Sequence, residues 1–277
     1  MKAKNINIGI IGCGNMGEAI LEKVLMHKDF SLFVCEKRTS VVNRLEKRFC
    51  AFKKRIRFLD IPKLVSFSDV IIIAVKPQDI EIVLNQISEN IKLFKKSVLI
   101  ISIAAGIKIS YLEKILGKNT RIIRLMPNIG IKIGEAVIAL KCNRYCSSYD
   151  LKTAYKIFAD LGKIFEIKNE SLMDAITAIS GSGPAYVAYI VEAILKIANS
   201  LGLSKELSKQ LIFQTFIGTI KLLKENNFDT QDLISKVASK KGTTQKALDV
   251  FEKYKLDRII QKAIFSAFKR AKQLSHK

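Results

Sequence analysis

A short apolar run that ends in three glycines at fixed spacing constrains this chain more than any other feature. Ile6-Asn7-Ile8-Gly9-Ile10-Ile11 reads as a buried strand, and Gly12-Cys13-Gly14-Asn15-Met16-Gly17 follows at once, opening a helical stretch through Ala19, Ile20 and Val24. A Gly-x-Gly-x-x-Gly set between strand and helix has a definite physical content. Gly12 permits the tight turn, Gly14 lets a pyrophosphate approach the backbone, and Gly17 lets helix and strand pack closely. The helix N-terminus offers free N–H donors to the phosphates. The expected fold is a doubly wound α/β domain of the Rossmann kind that holds a dinucleotide.

From Asn5 to about Lys168 short β-rich runs alternate with helical stretches, as in a parallel sheet wound with helices. The expected strands are Ile6 to Ile11, Leu32 to Cys35, Val70 to Val75, Val98 to Ile103, Arg121 to Leu125, Val137 to Leu140 and Ile164 to Glu166. Their continuous apolar character suits burial on both faces. After Asn169 the texture changes. Leu172 to Leu201, Ser204 to Lys224, Thr230 to Ala238 and Thr243 to His276 read as helices, with no further strand. The expected division is residues 1–168 for the dinucleotide-binding domain and 169–277 for an all-α domain. The first helix of the latter carries Ala185, Val187, Ala188, Ile190, Val191, Ala193 and Ile194 on nearly every side. It is expected to be buried all round, in the domain centre or against a second subunit. Glu192 and Lys196 stand four apart on it, a favourable pair.

Composition narrows the class. With 277 residues, 49% of them apolar, two buried cores are affordable without disulfides. Cys13, Cys35, Cys50, Cys142 and Cys146 are odd in number and scattered, which points to free thiols in a reducing compartment. The only histidines, His27 and His276, are far in sequence from Cys142 and Cys146, so no metal site is expected. Met1-Lys2-Ala3-Lys4 leads into an apolar run too short and too glycine-rich for a signal-peptide core. No other run approaches the roughly 18 uninterrupted apolar residues of a membrane span. A cytoplasmic, soluble protein with no membrane partner is expected. The net charge of +22, from 47 Lys plus Arg against 25 Asp plus Glu, would attract any polyanion. Its basic residues come in short, dispersed groups with no recognition helix and no aromatic-basic alternation, so no nucleic-acid partner is expected. The charge reads as a solvated face that also draws in anionic substrate and cofactor.

Further site candidates stand at strand ends. Cys35-Glu36-Lys37-Arg38-Thr39-Ser40 occupies the position that meets the adenosine ribose in such folds. Glu36 suits the 2′-hydroxyl of NAD, whereas Lys37 and Arg38 suit the 2′-phosphate of NADP, so NADPH and NADH both stay open. Ala74-Val75-Lys76-Pro77 ends a buried strand with a lysine that packing does not explain. Ala104 and Ala105 leave room for a flat ring, and Met126-Pro127-Asn128 offers an amide to a carboxamide. In the helical half, Ser180-Gly181-Ser182-Gly183-Pro184 marks a helix start with close backbone approach. Ser239-Lys240-Lys241-Gly242-Thr243-Thr244 is either a cradle for a small carboxylate or a plain helix cap.

Taken together, G-C-G-N-M-G, A-V-K-P-Q, S-I-A-A-G, R-L-M-P-N, S-G-S-G-P-A-Y and G-T-T resemble, in order and spacing, the pyrroline-5-carboxylate reductases. The resemblance covers essentially the whole chain. It implies an N-terminal Rossmann domain followed by an all-α dimerisation domain, and homodimers assembled into larger rings. It implies reduction of 1-pyrroline-5-carboxylate to L-proline by NADPH or NADH, the last step of proline biosynthesis. Gly12, Gly14, Asn15, Met16, Gly17, Ala74, Val75, Lys76 and Pro77 then inherit cofactor binding. Ser239, Gly242, Thr243 and Thr244 inherit the substrate carboxylate, with the Thr244 hydroxyl at the ring nitrogen and the turn completing a neighbouring subunit's site.

Two departures stand out. Lys240-Lys241 replaces a family Pro-Gly, and Ile61 replaces an asparagine near the cofactor ribose. The absence of an obvious acid or base suits a cyclic imine, which arrives protonated and takes a hydride without a proton donor in line. A 3-hydroxyacid dehydrogenase is the nearest rival, but Ser180 to Tyr189 lacks the lysine that resembles its base. A dinucleotide-sensing module with a lost active site is the rival from another class.

Overall fold

The computed structural model describes residues 5–275; the Met1–Lys4 segment and the His276 helix end expected above lie outside them. The chain runs β1 (Ile6–Ile11), α1 (Asn15–Val24), β2 (Phe30–Cys35), α2 (Thr39–Arg48), β3 (Ile56–Phe58), α3 (Ile61–Phe67), β4 (Val70–Ile73) and α4 (Ile80–Phe94). It continues through β5 (Leu99–Ser102), α5 (Ile109–Leu116), β6 (Arg121–Pro127), β7 (Ala136–Cys142), α6 (Ser148–Phe158) and β8 (Gly162–Glu166). Helices α7 (Leu172–Ile176), α8 (Gly183–Ser200), α9 (Lys205–Glu225), α10 (Thr230–Val237), α11 (Thr243–Lys253) and α12 (Leu256–Leu274) follow.

The strands form one sheet in the order β3-β2-β1-β4-β5-β6-β7-β8. Side chains alternate between two cores: Val70 and Ile72 enter one with Leu21, Leu45 and Ile157, while Ile71 and Ile73 enter the other with Leu64, Leu84 and Leu112. Burial on both faces is why these strands read as unbroken apolar runs. The sheet is not wholly parallel, as expected from the strand–helix alternation, because β7 runs antiparallel to β6. Residues 128–135 between them are too few for a crossover, which needs a dozen or more, so the chain can only turn back. The short edge strand β3 was not anticipated; Ile56-Arg57-Phe58 follows a basic run and has too few apolar residues to stand out.

Two expected helices are broken. Leu172 to Leu201 is interrupted by a π-helical turn at Thr177–Gly181, and α8 restarts at Gly183 with Pro184 in its first turn. Thr243 to His276 breaks between α11 and α12, where Lys255 takes a left-handed φ of 51° with no glycine to announce it.

By packing, the chain divides into a first unit up to Gly181, joined by the stretch from Phe268, and a second unit, Ser182–Ala267. The expected cut at residue 168 falls earlier because Met173 is wholly buried, Glu170 pairs with Arg124, and the Asn128 side chain donates to the Ser180 carbonyl at 3.1 Å. The end of α12 belongs to the first unit because Ala271 is buried there and the Ser275 hydroxyl bonds Asp174.

In the second unit α8 packs on α9 but is not buried all round: Val187, Tyr189, Ile190 and Ile194 are exposed in the single chain. The domain-centre alternative fails, because one helical neighbour covers one face only. Glu192 and Lys196 approach to 3.6 Å. Leu172–Ser200 holds no uninterrupted apolar run of membrane-spanning length, Asp174, Glu192 and Lys196 falling within it, but by length and composition alone it could cross a membrane, with a mean hydropathy of 1.3 over 18 residues.

Candidate active site

The chain leaves β1 for β2 and β3 on one side and returns to β4 on the other, so the carboxyl ends of β1 and β4 border the crevice where doubly wound sheets take ligands. The loops there are tied together. The Ala74 amide donates to the Ile11 carbonyl at 2.8 Å, and the Gly12 amide donates to the Cys35 carbonyl at 2.8 Å. Gly12 has φ 91°, and a β-carbon on it would stand 2.8 Å from the Val75 side chain. On Gly17 a β-carbon would overlap the Gly12 carbonyl oxygen, whereas on Gly14 it would meet nothing within 4 Å. Gly12 and Gly17 are thus required by the protein's own packing, and Gly14 faces open space. Gly14 caps α1 without a side-chain hydrogen bond. The amides of Asn15, Met16 and Gly17 have no intrahelical acceptor, as in any first helical turn. Cys13 is buried, and desolvation above all, with the Glu36 charge next, pushes its thiol up to about 12; it packs as a neutral side chain.

At the end of β2, Glu36 and Arg38 do not compete for one ligand: they bind each other. The carboxylate accepts from the Arg38 amide at 3.0 Å, from Arg38 Nε at 2.9 Å and Nη2 at 3.1 Å, and from the Cys13 amide at 2.8 Å. Burial pushes the Glu36 pKa up, but these hydrogen bonds and the guanidinium charge outweigh it and hold the group at about 2. Lys37 turns away to Asp79 at 2.8 Å. Sequence reading missed that partner, although Asp79 lies three residues after Lys76.

Ala74 and Val75 are half-buried after β4, and Lys76 and Pro77 are exposed beyond them. Ala104 is buried and Ala105 exposed after β5, where the Ile103 amide donates to the Ile73 carbonyl at 3.1 Å. These positions therefore lie in a row along the carboxyl edge. At the end of β6, Met126 is half-buried, Pro127 buried, and a β-carbon on Gly181 would sit 3.3 Å from Met126 Cε. The Asn128 amide is largely committed: its oxygen accepts from the amides of Gly130 (3.2 Å) and Val137 (3.3 Å), and its nitrogen donates to Ser180. One N–H remains for the expected carboxamide. The π-helical turn at Ser180 was not foreseen as part of this edge; the Ser-Gly-Ser-Gly-Pro run was its only signal.

Ser239, Gly242, Thr243 and Thr244 lie in the second unit. The Gly242 amide closes the turn on the Ser239 carbonyl at 2.9 Å, and Lys241 holds the left-handed φ of 61°. Gly242 caps α11 without a side-chain bond, so the amides of Thr243 and Thr244 are first-turn donors. Thr243 is exposed and Thr244 half-buried. Among the described residues no three His, Cys, Asp or Glu side chains gather as a metal-binding group.

Comparison with known proteins gives this geometry a family. A model described as pyrroline-5-carboxylate reductase dimerisation matches residues 170–274, and one described as NADP oxidoreductase, coenzyme F420-dependent, matches residues 7–106. The chain is 33% identical over 271 residues to a pyrroline-5-carboxylate reductase of Aquifex aeolicus, covering 97% of each chain. It is 33% identical to that of Synechocystis, covering 99% of this chain and all of the relative. A crystal structure of the Plasmodium falciparum pyrroline carboxylate reductase with NADP bound superposes with a TM-score of 0.85 at 30% identity, covering 98% of this chain and 99% of that one. Full-length similarity at this level, over both the crevice and the helical half, makes the chain a member of the pyrroline-5-carboxylate reductase family of NAD(P)H-dependent oxidoreductases.

Proposed function

We propose that the chain reduces 1-pyrroline-5-carboxylate to L-proline, with the sheet edge holding NADPH or NADH and the Ser239–Thr244 turn holding the substrate. The observation that carries this reading is the open space at Gly14 beside an uncapped helix start, which fits a pyrophosphate and serves no packing need of the protein. The bound dinucleotide supplies the hydride. The amides of Asn15, Met16 and Gly17 take its phosphates, Ala74, Val75, Lys76 and Pro77 flank it, and Ala104 and Ala105 leave its ring room. Met126, Pro127 and Asn128 border that space, with Asn128 chiefly fixing the end of β6 to the π-helical turn. The uncapped start of α11 receives the substrate carboxylate through the Gly242 and Thr243 backbone and the Ser239 hydroxyl, while the Thr244 hydroxyl orients the ring by its nitrogen. No side chain need deliver a proton in line, because the imine enters as its conjugate acid.

The test is oxidation of NADPH and NADH by purified protein, followed by nicotinamide absorbance with and without the imine and with proline quantified. Imine-dependent oxidation yielding proline is expected. Thr244→Ala is expected to lower turnover far more than cofactor affinity; an unchanged rate removes Thr244 from the site. Cofactor binding without imine reduction would transfer the chain to the sensing class.

The working form is a homodimer built through the helical half, and the dimers join into a larger ring. Two apolar stripes on α9 support contacts beyond a single partner face. Leu207, Leu211 and Leu222 follow one flank and Phe213, Ile217 and Ile220 another, all exposed in the single chain, while Ile212 is buried between them. A partner helix against the exposed Val187, Tyr189, Ile190 and Ile194 of α8 also accounts for the apolar length of Leu172–Ser200 without a membrane. The functional division at residue 168, with the dimerisation and substrate half from 169, is supported by the family match beginning at 170. Five free cysteines suit a cytoplasmic enzyme.

A further inference from the structure

The turn after β5 is held firmly at its two ends and weakly at its apex. Its entry is fixed by the Ile103 amide on the Ile73 carbonyl at 3.1 Å, and its exit by the Ile109 amide on Glu170 at 2.8 Å. Between them, among the described residues, the turn closes with two bonds of its own. Both are long: the Ala104 amide to the Ser102 hydroxyl at 3.3 Å and the Ile107 amide to the Ala104 carbonyl at 3.4 Å. What meets the apex is the end of α12. The Leu274 carbonyl belongs to a last helical turn, where no helical amide reaches it. It faces Gly106 so closely that a β-carbon there would stand 2.6 Å from its oxygen.

The next residue holds the helix end in place. Ser275 is 3% exposed, and its hydroxyl donates to the Asp174 carboxylate on α7. The other acceptor within reach, the Ala271 carbonyl at 2.9 Å, already takes the Ser275 amide at 3.0 Å. A hydroxyl has one proton to give, and the charged acceptor binds it more strongly. Helix α7 runs straight into the π-helical turn at Thr177–Gly181, whose Ser180 carbonyl takes the Asn128 side chain. Leu274 and Ser275 therefore connect the turn after β5 to the segment packed on the end of β6, the two borders of the ring space.

We propose that Ser275 is a positioning residue for hydride transfer: bound to Asp174, it seats the end of α12 on Gly106 and so fixes the Ala104–Ala105 turn against the nicotinamide ring. This rests on the reading above that the carboxyl edge of the sheet holds the dinucleotide. A ring that shifts slightly still binds through its phosphates at the Gly12–Gly17 loop, but its hydride has farther to travel. Loss of the seat should therefore appear in the transfer step and not in cofactor affinity.

The test is single-turnover stopped flow, in which the protein loaded with NADPH meets excess 1-pyrroline-5-carboxylate. Ser275→Ala is expected to slow hydride transfer roughly tenfold, the effect of losing a hydrogen bond to a charged group. The NADPH dissociation constant should stay within about twofold of wild type. A merely structural role would shrink the amplitude, as less protein is folded, and leave the rate constant alone. Asp174→Asn keeps an acceptor for the hydroxyl and should slow transfer less. Gly106→Ala, which displaces the helix end without altering Ser275, should slow it as Ser275→Ala does. An unchanged rate constant in Ser275→Ala, or a loss confined to amplitude, overturns the assignment. The fluorescence of bound NADPH reads the placement of the ring without any imine and should change in Ser275→Ala. A wild type that binds NADPH but reduces no imine would sink the reaction proposed above, and this assignment would then be overturned only by unchanged fluorescence in the variant.

Discussion

Arg124 and Glu170 meet at 2.7 Å with the guanidinium only 3% exposed and the carboxylate 24% exposed. Glu170 also accepts the Ile109 amide at 2.8 Å, so one carboxylate joins β6, the start of α5 and the segment entering α7. The two halves of the pair are unequal in what their loss leaves behind. Glu170→Ala strands a buried guanidinium and is expected to cost about 3–5 kcal/mol. Arg124→Ala leaves a carboxylate that water can reach and should cost less. Urea unfolding of both variants and of the double mutant checks the order; a reversed order would mean the pair is solvated in solution.

The glycine loop predicts opposite outcomes for two like substitutions. Gly17→Ala forces a β-carbon into the Gly12 carbonyl and is expected to lose about 1–3 kcal/mol of stability. Gly14→Ala meets no atom of the protein, so stability should hold while NADPH affinity falls. Unfolding curves and NADPH fluorescence titrations on both proteins check this, and a Gly14→Ala protein with full affinity would empty the proposed cradle.

Glu36 predicts an acid limb. Its pKa in the folded protein is about 2 against an ordinary 4.5, so its contribution is complete above the ordinary value. That contribution is lost as pH falls from 4.5 towards 2, because the unfolded chain takes up the proton first. Stability measured across this range should fall more steeply in the wild type than in Glu36→Gln, which has no proton to take up.

Much of this was legible beforehand, and for identifiable reasons. The strand into Gly12 and the doubly buried β4 declare themselves because each residue's identity follows from its own surroundings. What stayed hidden depends on partners distant in the chain. Glu36 and Arg38 read as alternatives until their geometry made them one unit, and Asn128 read as a ligand group until Gly130, Val137 and Ser180 were seen to occupy it. The break at Lys255 and the turn at Thr177–Gly181 interrupt helices whose residue patterns run straight through. The antiparallel β7 was a matter of loop length, which a count of residues 128–135 would have revealed.

Lys241 predicts a trade between stability and capture. A left-handed φ of 61° on a residue with a β-carbon costs about 1–2 kcal/mol. Lys240 and Lys241 are exposed beside the start of α11. Lys241→Gly is expected to raise stability by about 1 kcal/mol and to lower kcat/KM for the anionic imine at low ionic strength. The deficit should vanish in high salt, where steering is screened. A kcat/KM that ignores both salt and substitution would make these lysines plain solvent contacts.

The return of α12 changes what kind of two-unit chain this is. Gly106, with φ 77°, leaves no room for a β-carbon against the Leu274 carbonyl, so the far end of the chain is seated on the loop after β5. Ser182–Ala267 is therefore an insertion, spliced between two stretches that fold together. Two cuts, not one, are needed to excise it. Once the first unit has formed, both ends of the inserted segment are tethered, and it surrenders less chain entropy on folding than the same helices would on a free tail.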